Sequence, residues 1–312
     1  MAKVDPDVAI VVPILNEEAT IVRLLVSFET LTLYPKEVIL VDGGSKDRTV
    51  ECINRYLEAK KLPYELQVMV LPKALPGRGR NEGIRKTQCP LVACTDAGGH
   101  VDPSWLEDLT SPLKEDPACD MVVGNCRPAP SSFFERCTFY VTIESSFRKQ
   151  FIFFGGASIA FRRTLWEKVG GYPETLYPCE DKAFLRKVKE GKFLVRLSER
   201  ALIYWRSRPH FWDFLKQYFL YGRGDGEGGF VPHRYFLRAL FYGILFVFLS
   251  QGRIDWMLVF LLGYLGFLTI KAFLVLKDLR VFLVLPVLFL VKDFSQLFGY
   301  VVGKFRRLRG TD

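Results

Sequence analysis

Val8 to Thr20 reads VAIVVPILNEEAT, and this stretch decides the fold. Its first eight residues are almost continuously apolar and rich in β-branched side chains, the pattern of a strand buried on both faces. A dinucleotide-binding Rossmann domain would follow such a strand with G-x-G-x-x-G. Here an amide and two acids follow instead, so the sequence points to a parallel α/β sheet without a nicotinamide fingerprint. The pattern recurs in EVILVD (Glu37–Asp42), LQVMVL (Leu66–Leu71) and PLVACTD (Pro90–Asp96). Between these runs lie EEATIVRLLVSFETL and KDRTVECINRYLEAKK, with apolar residues at helical spacing. The alternation predicts a βαβαβα unit with a mostly parallel sheet. A helix in WLEDLTSPLKED, a strand in MVVGNC, a long segment with FFGGASIAFRR, a helix in CEDKAFLRKVKEG and two strands in KFLVRLSERALIYWR complete this part.

Ligands of open α/β sheets sit beyond the carboxyl ends of the strands. Those ends read LNEE, DGGSKD and DAGGH, which gathers Asn16, Glu17, Asp42 and Asp96 on one rim. Asp42 before Gly-Gly-Ser suits a ligand that approaches the backbone closely, and equally suits a cap on the following helix. Ala74–Lys86, ALPGRGRNEGIRK, is expected as a glycine-rich loop before a helix, with Arg78, Arg80 and Asn81 as diphosphate donors or as a solvated basic surface. Glu180 and Asp181 open a helix, where acids serve the helix dipole or, at a cleft, take a proton from an attacking hydroxyl.

The chain has 312 residues, a formal charge of +9 and seven cysteines without a C-x-x-C pair. The cysteines read as reduced, buried thiols rather than a zinc site. The N-terminus, MAKVDPDVAI, lacks an apolar signal core, so the first domain is expected in the cytoplasm. Basic residues cluster in WRSRPH, PHRYFLR and KFRRLR beside apolar stretches, which fits anionic lipid headgroups and argues against nucleic acid. Three regions are expected: residues 1–209 as a water-soluble domain, 210–234 as an amphipathic interface helix and linker, and 235–312 as a membrane domain. Ile254–Leu276 is long enough to cross a bilayer, and Tyr235–Ser250 is shorter with Arg238 near its start. Val281–Val302 holds Pro286, Lys292 and Asp293 and reads as a broken span, a re-entrant hairpin or an interfacial helix. Two crossings with a re-entrant or interfacial last segment keep the basic tail inside, giving a multi-pass cell-membrane protein with a cytoplasmic catalytic domain.

The ordered set VVPILNEEATI, VDGGSKDRT, GRGRNEGI, TDAGG, GGASIAFRR, CEDKAFL and QYFLYGRG resembles family-two inverting glycosyltransferases of the GT-A fold. The likeness is to membrane-associated enzymes of the exopolysaccharide or succinoglycan-synthesis type, and it covers residues 7 to 225. It implies a Rossmann-like sheet flanked by helices and followed by transmembrane helices. It places Pro13, Asn16 and Glu17 around the nucleoside, Asp42 on the base, and Arg80 and Asn81 in the donor-binding segment. Asp96 is then the first acid of the D-x-D motif and the ligand of Mg²⁺ or Mn²⁺, with Gly98 where a second acid is usual. Diphosphate oxygens would complete the metal shell; His100 is a further candidate, and Asp102 before Pro103 reads as a helix cap. Asp181 is the catalytic base, supported by Glu180. Gln217 and Arg223 would meet the acceptor or the leaving diphosphate.

QYFLYGRG departs from the processive enzymes' Q-x-x-R-W, because Leu220 and Tyr221 stand at the arginine and tryptophan places. That departure favours transfer of single sugars. The resemblance implies a nucleotide-sugar donor, UDP-linked in preference to GDP-linked, and a lipid-linked acceptor at the membrane. A polyprenyl-phosphate glycosyltransferase and a non-catalytic nucleotide-sugar-binding membrane protein are the alternatives.

Overall fold

The computed structural model describes residues 3–144 and 156–310. The described residues fall into two compact units, one of residues 3–129 and 156–206 and one of residues 130–144 and 207–310. The first begins β1 (Lys3–Ile14), α1 (Ile21–Glu29), β2 (Leu33–Asp42), α2 (Thr49–Ala59), β3 (Glu65–Val70), α3 (Pro76–Lys86) and β4 (Leu91–Thr95). It continues β5 (Gly99–Val101), α4 (Trp105–Glu115) and β6 (Met121–Pro128), then β7 (Ser158–Arg162), α6 (Arg163–Lys168), α7 (Glu180–Glu190) and β8 (Val195–Trp205), while α5 (Phe133–Glu144) falls in the second unit.

The strands form one sheet in the order β3-β2-β1-β4-β7-β6-β8-β5. Pairing is parallel from β3 to β4 and between β6 and β8, and antiparallel at β4–β7, β7–β6 and β8–β5. The expected parallel α/β half is therefore present, with the continuous apolar runs of β1, β2 and β4 buried as their composition requires. Pro13 is tolerated in the interior strand β1 because pairing with β4 ends at Val11, so its missing N–H leaves no ladder gap there.

Four local expectations need correction. LQVMVL is an edge strand, only half-buried, because no described strand pairs beyond β3. KFLVRLSERALIYWR contains one strand, β8, whose register against β6 breaks between Leu197 and Leu202, so the polar Ser198–Arg200 step bulges without ending it. Gly99–Val101, read as part of a turn, pairs with β8 as the short strand β5. ALPGRGRNEGIRK is not a loop before a helix but contains helix α3 itself. Pro76 starts it at a position that needs no N–H. Its glycines, poor helix formers, are set by packing: a Cβ at Gly83 would collide with Val11, and one at Gly79 would lie 3.3 Å from Pro13 Cβ. The helix therefore lies directly on β1 and β2.

The second unit consists of α5, α8 (Phe211–Gly228), α9 (Pro232–Ser250), α10 (Ile254–Leu276) and α11 (Val281–Arg309). Residues 207–310 fall in one unit, with no division at 234. Residues 130–144 join it because Cys137 and Val141 of α5 share a core with Phe214, Leu285 and Leu288. The expected interface helix, α8, packs on α11 through Gly222 and Gly226 against Gly299 and Gly303. A Cβ at any of the four would strike the facing helix backbone, the close approach that small-xxx-small pairs permit.

Among the described residues, the helices long and apolar enough to cross a membrane, by length and composition, are Ile254–Leu276 and Val281–Arg309. Tyr235–Ser250, expected as a crossing, is not among them; its helix starts with His233, Arg234 and Arg238. The last segment, expected as a broken span, a re-entrant hairpin or an interfacial helix, is one continuous helix, so the first two readings fall. Pro286 lies near its start, and its two mid-helix charges have internal partners: Lys292 Nζ donates to Val141 O at 3.2 Å, and Asp293 accepts from Arg238 Nε at 3.0 Å.

Candidate functional site

The site is built first on the strand ends of the first unit. Gly43 N–H donates to Ile14 O at 2.9 Å, and Leu71 and Lys73 N–H donate to Asp42 O and Gly43 O at 2.7 and 2.9 Å, so three strand ends are tied into one rim. Gly43 has no room for a side chain, since a Cβ would lie 2.7 Å from Ala74 O. Asn16, in the left-handed region with φ 55°, donates from its N–H to Ser45 Oγ at 2.8 Å and accepts from Lys46 N–H at 2.8 Å. Glu17 N–H donates to Thr49 Oγ1 at 2.7 Å, and Glu17 O accepts from Thr20 and Ile21 where α1 begins.

Asp42 is buried, and its Oδ2 accepts from the N–H groups of Gly44 and Ser45 at 3.1 and 3.0 Å. The carboxylate thereby holds the Gly-Gly-Ser turn in shape; it does not cap α2, which begins at Thr49 with Arg48 as its N-cap. Asp102 likewise closes a turn, accepting from Ser104 N–H at 3.2 Å and from Tyr204 Oη at 3.1 Å. His100 lies in β5, stacked on Tyr204 with ring centroids 5.0 Å apart.

Arg80 links the remaining groups. It is 2% exposed, donates from Nη1 to Glu180 Oε1 at 2.7 Å and from Nη2 to Asp96 Oδ1 at 2.6 Å, and also reaches Gly156 O at 3.3 Å. Asp181 converges on the same place, because a Cβ at Gly156 would lie 3.2 Å from Asp181 Cβ and 3.4 Å from Arg80 Nη2. The glycine of GGASIAFRR is thus a space requirement; its first glycine, Gly155, lies outside the described residues. Burial works against the charge on Arg80, but Asp96 and Glu180 outweigh it and hold the guanidinium pKa well above its ordinary value.

Glu180 and Asp181 open α7, preceded by Cys179 in the left-handed region at φ 88°. That conformation costs a non-glycine residue of order 1–3 kcal/mol. Burial raises both carboxyl pKa values. Arg80 pulls Glu180 back down, and Lys182 and Arg80 do the same for Asp181.

Asn81 faces away from this cluster. Its Nδ2 donates to Tyr172 O and Glu174 Oε1, both at 2.9 Å, and its Oδ1 accepts from Trp166 Nε1 and Tyr172 N–H, both at 2.9 Å. It anchors the segment leading to α7. Tyr172, Trp166 and Glu174 were not expected at the site; Tyr172 lies under Arg80 with its ring centroid 5.4 Å from the guanidinium carbon. No spacing in the sequence marks them, because the contacts join positions more than eighty residues apart.

Pro13 lies beside Gly79 of α3. Gln217 and Arg223 belong to the second unit, on α8, where Gln217 Nε2 donates to Tyr221 Oη at 2.9 Å and Arg223 Nε lies 3.6 Å from Glu227.

As a cation site the rim offers one hard oxygen donor at the D-x-D position, Asp96, with its side chain 32% exposed. No group of three His, Cys, Asp or Glu side chains able to hold a metal occurs among the described residues. At Gly98 a Cβ would meet only Glu17 Oε1, at 4.0 Å, so the place of the second acid is open and Glu17 faces it. The residues present fit a divalent cation that takes most of its oxygens from a bound diphosphate.

Residues 9–168 match the family model "Glycosyl transferase family 2". The poly(ribitol-phosphate) beta-N-acetylglucosaminyltransferase TarS of Staphylococcus aureus strain MW2 is 26% identical over 209 residues. The match spans 64% of this chain and 35% of that relative, so the chain covers about a third of the relative's length. The structure of S. aureus TarS 1–349 in complex with UDP superposes at a TM-score of 0.51 with 20% identity, covering 98% of this chain and 92% of that one. Mannosyltransferase PcManGT from Pyrobaculum calidifontis, in complex with GDP-Man and Mn²⁺, gives 0.59 with 18% identity over 98% and 88%. Both structural likenesses are likenesses of fold.

Proposed function

The chain belongs to glycosyl transferase family 2 and has its GT-A fold, and from that premise we propose that it moves one sugar, with inversion, from a nucleotide-sugar donor to a hydroxyl of a membrane-lipid-linked acceptor in exopolysaccharide or glycolipid synthesis. The observation that carries this reading is the convergence of Asp96, Glu180 and Asp181 around the buried Arg80. Asp181 takes the proton of the acceptor hydroxyl as its oxygen attacks the anomeric carbon in line, and the nucleoside diphosphate leaves from the opposite face. Glu180, fixed by Arg80, positions the first turn of α7.

Pro13, Asn16, Glu17 and Asp42 border the nucleoside, with Arg80 and Asn81 as the scaffold beneath the donor. For Gln217 and Arg223, a part at the acceptor or the diphosphate rests on the family resemblance alone. A bound Mg²⁺ or Mn²⁺, held by Asp96, would supply charge neutralisation for the departing diphosphate. UDP is the favoured nucleotide, as in the TarS complex, with GDP open because PcManGT binds GDP-Man. The two long apolar helices support association with the cell membrane, with the first unit on the cytoplasmic side.

The test is transfer from labelled UDP- and GDP-sugars into a membrane-lipid extract by the full-length protein. Asp181→Asn should reduce turnover about 10²–10⁴-fold, the usual contribution of a general base. A variant that keeps nearly full turnover would instead indicate a phosphate acceptor, which needs little help from a base. EDTA should abolish transfer; full activity in excess chelator would assign leaving-group neutralisation to arginine.

A further inference from the structure

We propose that the second unit holds a binding site for the phosphate headgroup of an anionic lipid, in a cavity of about 210 Å³ lined by α9, α10 and α11. The site is separate from the transferase reading, and either can fail alone. Liquid water occupies about 30 Å³ per molecule, so the cavity has room for a phosphate group with some of its solvent.

Its chemistry is lopsided. Among the described residues that line it, Arg234, Arg238 and Lys292 face a single carboxylate, Asp293, with Tyr264 and Gln296 beside them, and Lys292 Nζ also donates to Val141 O at 3.2 Å. Arg234 and Arg238 lie one turn apart on α9, at the spacing that puts both on one face. Asp293 is already served: it accepts from Arg238 Nε at 3.0 Å, Tyr242 Oη at 2.9 Å and Tyr264 Oη at 2.7 Å. Arg238 Nη1 also donates to Gln296 Oε1 at 2.8 Å, which fixes the guanidinium at the wall. Charges on helices this apolar are costly, and where they persist they mark a functional site. Among the described lining residues, three cationic side chains against one acid favour an anion.

The surroundings select its tail. Leu237 and Phe294, the sequence neighbours of Arg238 and Asp293, are 60% and 54% exposed, and Val287 of α11 is 52% exposed. A ligand that satisfies both the cationic cavity and this apolar exterior carries a phosphate on hydrocarbon chains. A free phosphate would use the cavity alone.

The full chain in neutral detergent is titrated calorimetrically with dioctanoyl phosphatidic acid, dioctanoylglycerol and inorganic phosphate. Phosphatidic acid should bind, with the other two distinctly weaker. Arg234→Gln, an exposed position whose loss leaves the Asp293 cluster intact, should weaken phosphatidic acid about fivefold, one basic residue's share at a lipid headgroup. Lys304→Gln, in the basic tail and outside the cavity, should leave it unchanged, with equal melting temperatures confirming that both variants fold. Equal binding of inorganic phosphate, equal binding of dioctanoylglycerol, or equal effects of the two substitutions would each overturn the assignment.

Discussion

Each unit contains an arginine withdrawn from water, and the two are used in opposite electrostatic settings. Arg80 of the first unit stands among three carboxylates, Asp96, Glu180 and Asp181, on a rim of rigid strand ends. Arg238 of the second stands with Arg234 and Lys292 around one carboxylate. The exteriors are inverted as well. The first unit buries its apolar runs in the sheet, whereas α9, α10 and α11 expose Leu240, Leu262, Phe267, Leu274 and Leu283 and bury Lys292 and Asp293. The same side chain thus stands in an acid-rich setting, which the proposed transfer uses for a cation and a proton, and in a cation-rich one, which the proposed headgroup site uses for a phosphate. What decides between them is the count of charges around the arginine, which a description of either as a salt bridge would hide.

The strongest test of this contrast removes both arginines. Arg80→Met leaves Glu180 buried without its charge partner, and breaking a buried pair in this way costs about 3–5 kcal/mol. Arg238→Met leaves Asp293 with two phenolic donors, so the loss should stay near the cost of one buried hydrogen-bonded group, about 1–3 kcal/mol. Thermal unfolding of the full chain in detergent should therefore rank Arg80→Met well below Arg238→Met. Equal losses would mean that the tyrosines do not carry the charge of Asp293 and that the two settings are not distinct.

The ease of reading the sequence followed how local the governing physics was. VAIVVPIL, EVILVD and PLVACTD were legible as strands because burial on both faces leaves an unbroken apolar run, and their acidic ends were legible as a rim. Helix α3 was not, since three glycines and a proline argue against a helix, and only close contacts, of Gly83 with Val11, Gly79 with Pro13 and Gly77 with Pro173 O, explain them. Glu180 and Asp181 were legible as a helix start, but not their link to Arg80, which joins positions one hundred residues apart. Residues 130–144 gave no sign that they belong with α8 and α11, because apolar spacing reports a face without naming what covers it. The glycines of α8 and α11 stand at x-x-x spacing in plain view, yet the aromatic residues around α8 suggested an interface helix.

Those glycines give a second, smaller test. At Gly299 a Cβ would strike the backbone carbonyl of Phe219, which cannot yield without separating the helices. At Gly79 of the first unit the neighbour is Pro13 Cβ at 3.3 Å, a contact that shifts of a few tenths of an ångström relieve. Gly299→Ala should cost about 1–3 kcal/mol as overpacking. Gly79→Ala should be nearly neutral, because alanine regains about 1 kcal/mol of helix propensity. Limited proteolysis of the two variants would locate the loss, and faster cleavage in α8 or α11 is expected only for Gly299→Ala. The opposite ranking would place the tighter helix packing in the first unit.

The smallest effect concerns the carboxylates themselves and requires only a pH profile. Burial raises the Asp181 pKa, while Lys182 and Arg80 lower it, the net shift being upward. A base works ionised, so kcat/KM should fall on the acid side at a pH above the ordinary aspartate value of about 4. Lys182→Met removes a group that favours the ionised form, and the acid limb should then move further up in pH while the plateau at high pH changes little. A limb that stays in place would show that Lys182 is screened by water and that burial with Arg80 sets the proton affinity. A limb that moves down would mean that Asp181 is not the titrating base, and would remove the acid-rich half of the contrast from the chemistry it was invoked to explain.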